Sequence, residues 1–287
     1  MEEMPGISSR SALWRQLVRH GLLVLAAFVM LYPLLWMAAS SFKPDNLIFS
    51  QPGLIPTEWD FSNYASGWHA LRVSFTTFYA NSFIIAGLAV IGNVLSCSLA
   101  AFAFARLEFR FKWFWFAMMM GTLMLPYHVT LVPQYILFLN LDWVNTYLPL
   151  VVPRFLAVDA FFIFLMVQFF RGIPREIDEA AVMDGCGPWR IYWRIMLPLS
   201  MPVLATAAIF SFIWTYDDFL GPLIYLNDMR QYTVPLALRA FIDSSGGESL
   251  YGEMFAMSTL SLVPVFFVFL LFQRLIIRGV ALGALKR

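Results

Sequence analysis

Charge is scarce in this 287-residue chain. Asp, Glu, Lys and Arg make up 13% of it, where soluble domains carry about 25%. With a net charge of +1, no basic or acidic field is present to hold nucleic acid. There are 2 cysteines and 3 histidines. Cys97 lies in an apolar run and Cys186 in a polar loop, so a disulfide is not expected, and no zinc-type spacing can be drawn from so few ligands. The phosphate-loop pattern Gly-x-x-x-x-Gly-Lys-Ser/Thr is missing, so no ATP site of that type is expected, and no catalytic constellation stands out. What the chain has in excess is apolar: 60% of its residues are hydrophobic, above the roughly 45–50% of soluble domains.

The apolar residues are grouped. A helix needs about 20 of them to cross a bilayer. Stretches free of Asp, Glu, Lys and Arg run from His20 to Phe42, Val73 to Ala105, Trp113 to Leu141, Ile195 to Tyr216 and Met254 to Gln273. A further stretch, Tyr147 to Phe170, is interrupted only by Arg154 and Asp159. The expected fold is therefore all-α, a polytopic bundle of six transmembrane helices. Although Arg10, Arg15 and Arg19 precede the first run, that run exceeds the 7–15 apolar residues of a signal peptide, so it is expected to be a retained helix.

Lys and Arg favour the cytoplasmic loops of membrane proteins. Placing both termini in the cytoplasm puts Arg10, Arg15, Arg19, Arg106, Arg110, Lys112, Arg171, Arg175, Arg190, Arg194, Arg274, Arg278, Lys286 and Arg287 inside. Only Lys43, Arg72, Arg230 and Arg239 fall outside, with Arg154 near the outer end of the fourth span. Trp113, Trp115, Trp143 and Tyr147 fall near span ends, where amphipathic rings settle. The expected organisation is a cytoplasmic segment 1–20, a first span 21–42, an extracytoplasmic loop 43–72, a five-span core 73–277 containing an inner loop 171–198, and a cytoplasmic tail 278–287. A second outer loop, Pro222 to Glu253, contains Ser244-Ser245-Gly246-Gly247, a turn or flexible stretch.

The inner loop carries the most information. Pro174 suits a first helical position, and Glu176, Asp178 and Glu179 then sit at the positive end of the helix dipole. Ala180 and Ala181 favour helix with minimal side chains. Gly185 suits the left-handed C-terminal cap. Pro188 can open a second helix to Met196, carrying Arg190 and Arg194. The result is a short capped helix whose small residues let another protein approach its backbone, while flanking acids offer charge partners. An amphipathic connector lying on the membrane surface is the alternative.

The order Glu179-Ala180-Ala181, three residues, Gly185, nine residues, Ile195, one residue, Leu197-Pro198 resembles, without a gap, the EAA signature of permease subunits of binding-protein-dependent ATP-binding-cassette importers. The resemblance is to the type I permeases, and within them to the carbohydrate branch that includes maltose-system and glycerol-phosphate-system permeases. Asn63-Tyr64, the stretch Ala105-Arg106-Leu107-Glu108-Phe109, the stretch Asp218 to Leu223 and the tail Arg278 to Lys286 also look like that branch. Gly221, where relatives often carry an aromatic, and Leu285, where valine is usual, depart from it.

The resemblance implies a non-catalytic transport subunit in a bacterial inner membrane. Glu179, Ala180, Ala181, Asp184, Gly185, Ile195, Leu197 and Pro198 would form the docking segment for a cytoplasmic ATPase. It further implies two copies of that ATP-binding subunit, a second, homologous permease and an extracytoplasmic solute-binding protein, with surrounding membrane lipid and no nucleic acid. ATP and Mg would be bound by the partner, with no cofactor or metal on this chain. Gly283 and Lys286 are candidate tail contacts to the ATPase.

Charges at membrane depth are costly and point to function. Arg154 and Asp159 are therefore candidates for the translocation path, with an interfacial anchor and a structural pair as the respective alternatives. Asp217 and Asp218 lie beside Trp214, and acids next to aromatic rings suit a sugar; solvation of a helix end is the other reading. A stand-alone ion-coupled transporter or channel working through Asp159 is the alternative function, and the docking-type loop argues against it.

Overall fold

The computed structural model describes the backbone of residues 8–244 and 250–284, and side chains within 14–242 and 250–273. Ser245, Gly246, Gly247 and Lys286 lie outside the described residues, and Gly283 is described by its backbone alone. Every regular element among the described residues is helical. In chain order these are α1 (Ser8–Ser40), α2 (Asp45–Ile48), α3 (Ser62–His69), α4 (Phe75–Arg106), α5 (Lys112–Thr122), α6 (Tyr127–Asn140), α7 (Leu148–Val151) and α8 (Ala160–Gly172). They are followed by α9 (Glu176–Met183), α10 (Pro188–Ile191), α11 (Leu197–Leu199), α12 (Met201–Tyr216), α13 (Leu220–Tyr225), α14 (Val234–Ser244) and α15 (Tyr251–Ala284). Tight 3-10 turns occupy Val152–Leu156 and Met229–Gln231, and a π turn occupies Tyr192–Met196.

Two compact units form. The first combines residues 1–70 with 241–260. Its centre is the loop after α1, where four rings meet: Phe42 packs on Trp59, Phe61 and Tyr64. Lys43 is buried, and its ammonium donates to the carbonyls of Gln51 and Gly53, both at 2.7 Å. Burial lowers the pKa of Lys43. Asn63 donates to the carbonyls of Ser41 and Lys43, and the Tyr64 hydroxyl meets Ser41 Oγ at 2.7 Å. The Asn63-Tyr64 pair is thus the clamp that folds this loop. The start of α15 joins the unit because the Gly252 N–H donates to Asp45 Oδ1 at 2.6 Å. A side chain at Gly252 would collide with Asn63, at 2.7 Å from its amide. Trp36 packs edge-on against Phe255.

The second unit comprises residues 71–240 and 261–287, and α4 is its spine. At 32 residues it is about 48 Å long, enough to cross a bilayer core of about 30 Å and project beyond it. One face is small: Ala86, Ala89, Asn93, Cys97, Ala101 and Ala105 are buried at three- and four-residue spacing, which lets neighbouring helices approach closely. The core combines the later part of that face, Cys97, Ala101 and Ala105, with Phe162, Met166 and Phe170 of α8, Tyr192 and Met196, and Val203, Leu204 and Ala207 of α12. Because Gly92 lacks a side chain, the 3-10 turn can pass: a Cβ there would lie 2.8 Å from the Phe155 ring. Cys97 and Cys186 are both free thiols.

Among the described residues, four helical stretches are long and apolar enough to span a membrane: 14–40, 75–106, 148–172 and 251–273. Pro188–Leu199 and Met201–Tyr216 form a fifth only as a pair bent by 77°. The structure departs from uninterrupted runs at three places. The stretch 113–141 divides into α5 and α6, because Pro126 has no N–H to continue a helix and the preceding residue is driven out of helical geometry. The stretch 147–170 breaks where Ala157 takes a left-handed φ of 53°. The stretch 195–216 bends at Ser200, between Pro198 and Pro202. Similarly, α9 begins at Glu176 rather than at Pro174, since Ile173 before that proline is extended with ψ 133° and Arg175 supplies the first helical carbonyl.

Candidate functional site

The docking-type segment is a surface helix closed at both ends. At the start of α9, the Arg175 carbonyl accepts from the N–H groups of Asp178 and Glu179, and three acids occupy the first turn. At its end, Gly185 has φ +76°. Its N–H donates to the Val182 carbonyl and that of Cys186 to the Ala181 carbonyl, both at 2.9 Å. This is the paired-bond pattern of a Schellman cap, and both Ala181 and Cys186 are set on the core.

The helix divides by face. Ala181 is buried against the core, whereas Glu176, Ile177, Glu179, Ala180, Val182, Met183, Asp184 and Gly185 are exposed. Met183 is 87% exposed and Val182 58%. The remaining residues of the motif separate in the same way: Ile195 and Leu197 are half-buried and pack on the core, while Pro198 is exposed. The motif thus mixes residues that face outward with residues that hold the segment in place.

Two residues that its spacing does not reveal tie the segment down. The Arg106 side chain, at the end of α4, is only 5% exposed. Its Nη2 donates to the Ile173 carbonyl at 2.7 Å, and its Nε lies 3.2 Å from Asp178 Oδ2. The Tyr192 hydroxyl, fully buried on the π turn, shares a 2.8 Å hydrogen bond with Ser98 Oγ of α4.

The candidate path residues gather at a second place. Five positions apart on one continuous helix, Arg154 and Asp159 would point in different directions. The break at Ala157 turns them together, and Arg154 Nη1 donates to Asp159 Oδ2 at 3.3 Å. Ser96 of α4 donates to the Arg154 carbonyl at 2.8 Å. The Trp214 ring packs on Phe161 and Phe162, at the start of α8. Just beyond α12, Asp218 accepts from the Gly221 N–H at 3.2 Å. Burial pushes the Asp218 carboxyl up from the ordinary range, against the pull of the Gly221 N–H and the Arg154 guanidinium. Gly221 provides the room for this fold-back: a Cβ there would lie 2.5 Å from Asp218 Oδ2 and 3.0 Å from Leu150. Asp217 is exposed. Arg154, Asp159, Trp214 and Asp218 thus collect around the break between α7 and α8.

Comparison with known proteins gives one consistent answer. Residues 92–282 match the family described as binding-protein-dependent transport system inner membrane component. The probable ABC transporter permease YurM of Bacillus subtilis is 34% identical over 89% of this chain and 83% of its own length. The diacetylchitobiose uptake system permease NgcG of Streptomyces coelicolor is 31% identical over 94% of this chain and 88% of its own. The trehalose/maltose transport system permease MalG of Thermococcus litoralis is 33% identical over 92% of this chain and 94% of its own. In fold, the chain matches a subunit of a bacterial ABC transporter involved in import of the acidic polysaccharide alginate, with a TM-score of 0.82 at 22% identity, covering 94% of this chain and 99% of that one. The chain therefore belongs to the family of binding-protein-dependent transport system inner membrane components, the membrane-spanning permease subunits of ABC importers.

Proposed function

We propose that this permease forms half of the translocation path of a carbohydrate or polyol importer and is driven by a cytoplasmic ATPase that grips α9. The observation that carries this is the exposed tip of that helix. Val182 and Met183 stand out of a short capped segment beside Ala180, Glu179 and Asp184. Apolar side chains this exposed on a polar connector fit an interface with a partner, and the small residues around them permit close backbone approach.

In this reading both termini and α9 are cytoplasmic, as the placement of Lys and Arg favours. Helices α5 and α6 together make the remaining crossing, so six are completed. ATP and Mg are bound by two copies of the partner ATPase, none by this chain. A second permease lines the other half of the path, and an extracytoplasmic binding protein delivers solute. The solute class is supported by relatives named for diacetylchitobiose and for trehalose and maltose. Arg154, Asp159, Trp214 and Asp218 are the path residues of this chain, joined by Asp217 at the outer end of α12.

Co-purification tests the docking. Expressed with the genes beside its own and extracted in mild detergent, the wild type is expected to carry an ATP-binding subunit. Glu179→Lys and Met183→Asp alter exposed side chains and should lose it while the permease itself stays folded. If the two variants retain the subunit as wild type does, the docking surface lies elsewhere.

A further inference from the structure

The two ties between the docking segment and α4 have a mechanical consequence. The docking segment is joined to its sequence neighbours by a break on one side and a bend on the other. Behind it, α8 ends at Ile173, whose backbone is extended before Pro174. Ahead of it, the chain turns by 77° into α12 at Ser200. The first joint is not helical, and the second is a sharp bend. The Ser200 N–H still donates to the Met196 carbonyl and its own carbonyl accepts from Leu204, but Pro202 has no N–H to give, so neither joint transmits a push as a straight rod would. The connection to α4, distant in sequence, is of another kind. Arg106 donates to the carbonyl at the first joint and faces Asp178 on α9 itself. Tyr192 bonds to Ser98 and packs its ring on Phe102 at 5.4 Å. The two attachments lie eight residues apart on α4, about 12 Å along its axis.

Arg106 is also out of place chemically. Arg110, Arg175, Arg190 and Arg194 near this loop are all exposed, as arginines usually are. Arg106 is withdrawn from water and shares its charge with Asp178, itself 19% exposed. Buried ion pairs add little stability over apolar packing and are best attested where they fix one arrangement among several. Here the arrangement fixed is the position of α9 on α4.

We propose that Arg106 is a positioning residue for coupling: with Tyr192 it makes α9, α10, the π turn and the inner third of α4 one rigid block, so that movement of a docked ATPase enters the membrane domain through α4. The proposal rests on the docking reading above. The flexing point is the bend at Ser200.

Distances between paired spin labels test it, in the complex with its ATPase in lipid nanodiscs and a Cys186→Ser background. One pair sits on the exposed positions Arg190 and Leu99, within the block. The other sits on Arg190 and the exposed Asp217, at the far end of α12 across the bend. Addition of Mg-ATP is expected to leave the first distance unchanged and to shift the second. In Arg106→Glu the first distance should shift or broaden with Mg-ATP while the ATPase still co-purifies, and adding Asp178→Arg should restore it. Asp178→Asn, nearly isosteric, should show the same broadening if Arg106→Glu fails to fold. A wild-type Arg190–Leu99 distance that changes with Mg-ATP overturns the block, as does an unchanged distance in the variants. An ATPase missing from the wild-type complex overturns the docking reading, and this proposal with it.

Discussion

At the scale of single residues, Gly185 carries the clearest link from sequence to shape. Its φ of +76° is the left-handed region, where a side chain costs about 1–2 kcal/mol. A Cβ there meets nothing within 4 Å, so the cost of substitution is conformational rather than steric. Gly185→Ala is expected to weaken the cap of α9 and speed amide exchange across 176–186 by about tenfold, with Gly185→Asn intermediate because asparagine tolerates this region better. Unchanged exchange in Gly185→Ala would mean that the left-handed cap is not formed in solution. This position was legible in the sequence because a glycine after a helical run has one common use. Arg106 was not: its carbonyl partner lies 67 residues away, and a basic residue ending an apolar run reads equally well as a flank of a span. Gly221 is an intermediate case. A glycine inside a stretch that otherwise resembles the carbohydrate branch was visible, but its use, the carboxylate of Asp218 folding back over it, needed the backbone of the turn.

At the scale of elements, the apolar runs announced where helices lie and missed where they break. Hydropathy averages over a window, so Pro126, Ala157 and Pro202 scarcely alter it, yet each breaks or bends a helix, the prolines by lacking an N–H and Ala157 by its left-handed backbone. The break at Ala157 matters most because it lets Arg154 reach Asp159. Removing one partner of such a pair strands the other charge. With about a third of the Arg154 side chain exposed, solvent screening lowers the cost below that of a fully buried pair. Arg154→Leu is expected to destabilise the protein by roughly 1–3 kcal/mol, and the double variant with Asp159→Leu to recover most of that. A thermal-shift series in detergent reads both. If the double variant is no more stable than Arg154→Leu, the pair is not the structural link described, and Asp159 acts on its own.

At the scale of the molecule, family and architecture follow from features that survive averaging: the number of long apolar stretches, the excess of basic residues on one side, and one loop motif of fixed spacing. The grouping of 241–260 with the chain before Leu71 does not survive it, since it depends on Asp45, Asn63 and Gly252 meeting across the sequence. Orientation can be tested on the natural chain. Cys97 is fully buried and Cys186 is not, so Cys186 is the reporter. Expressed without partners, the protein should react with a membrane-impermeant maleimide in inverted vesicles and stay unlabelled in right-side-out ones. The reverse pattern would place α9 outside and remove any access to a cytoplasmic ATPase.

The central claim, that an ATP-binding subunit grips the exposed tip of α9, is tested most directly by photo-crosslinking in cells. A benzophenone amino acid at Met183, 87% exposed at the tip of α9, is compared with one at Met30, 81% exposed on the apolar span α1. Irradiation is expected to join position 183, and not position 30, to the ATP-binding subunit, with the product lost in Glu179→Lys. If position 183 yields no product with that subunit in cells where all components are expressed, α9 is not where the ATPase docks.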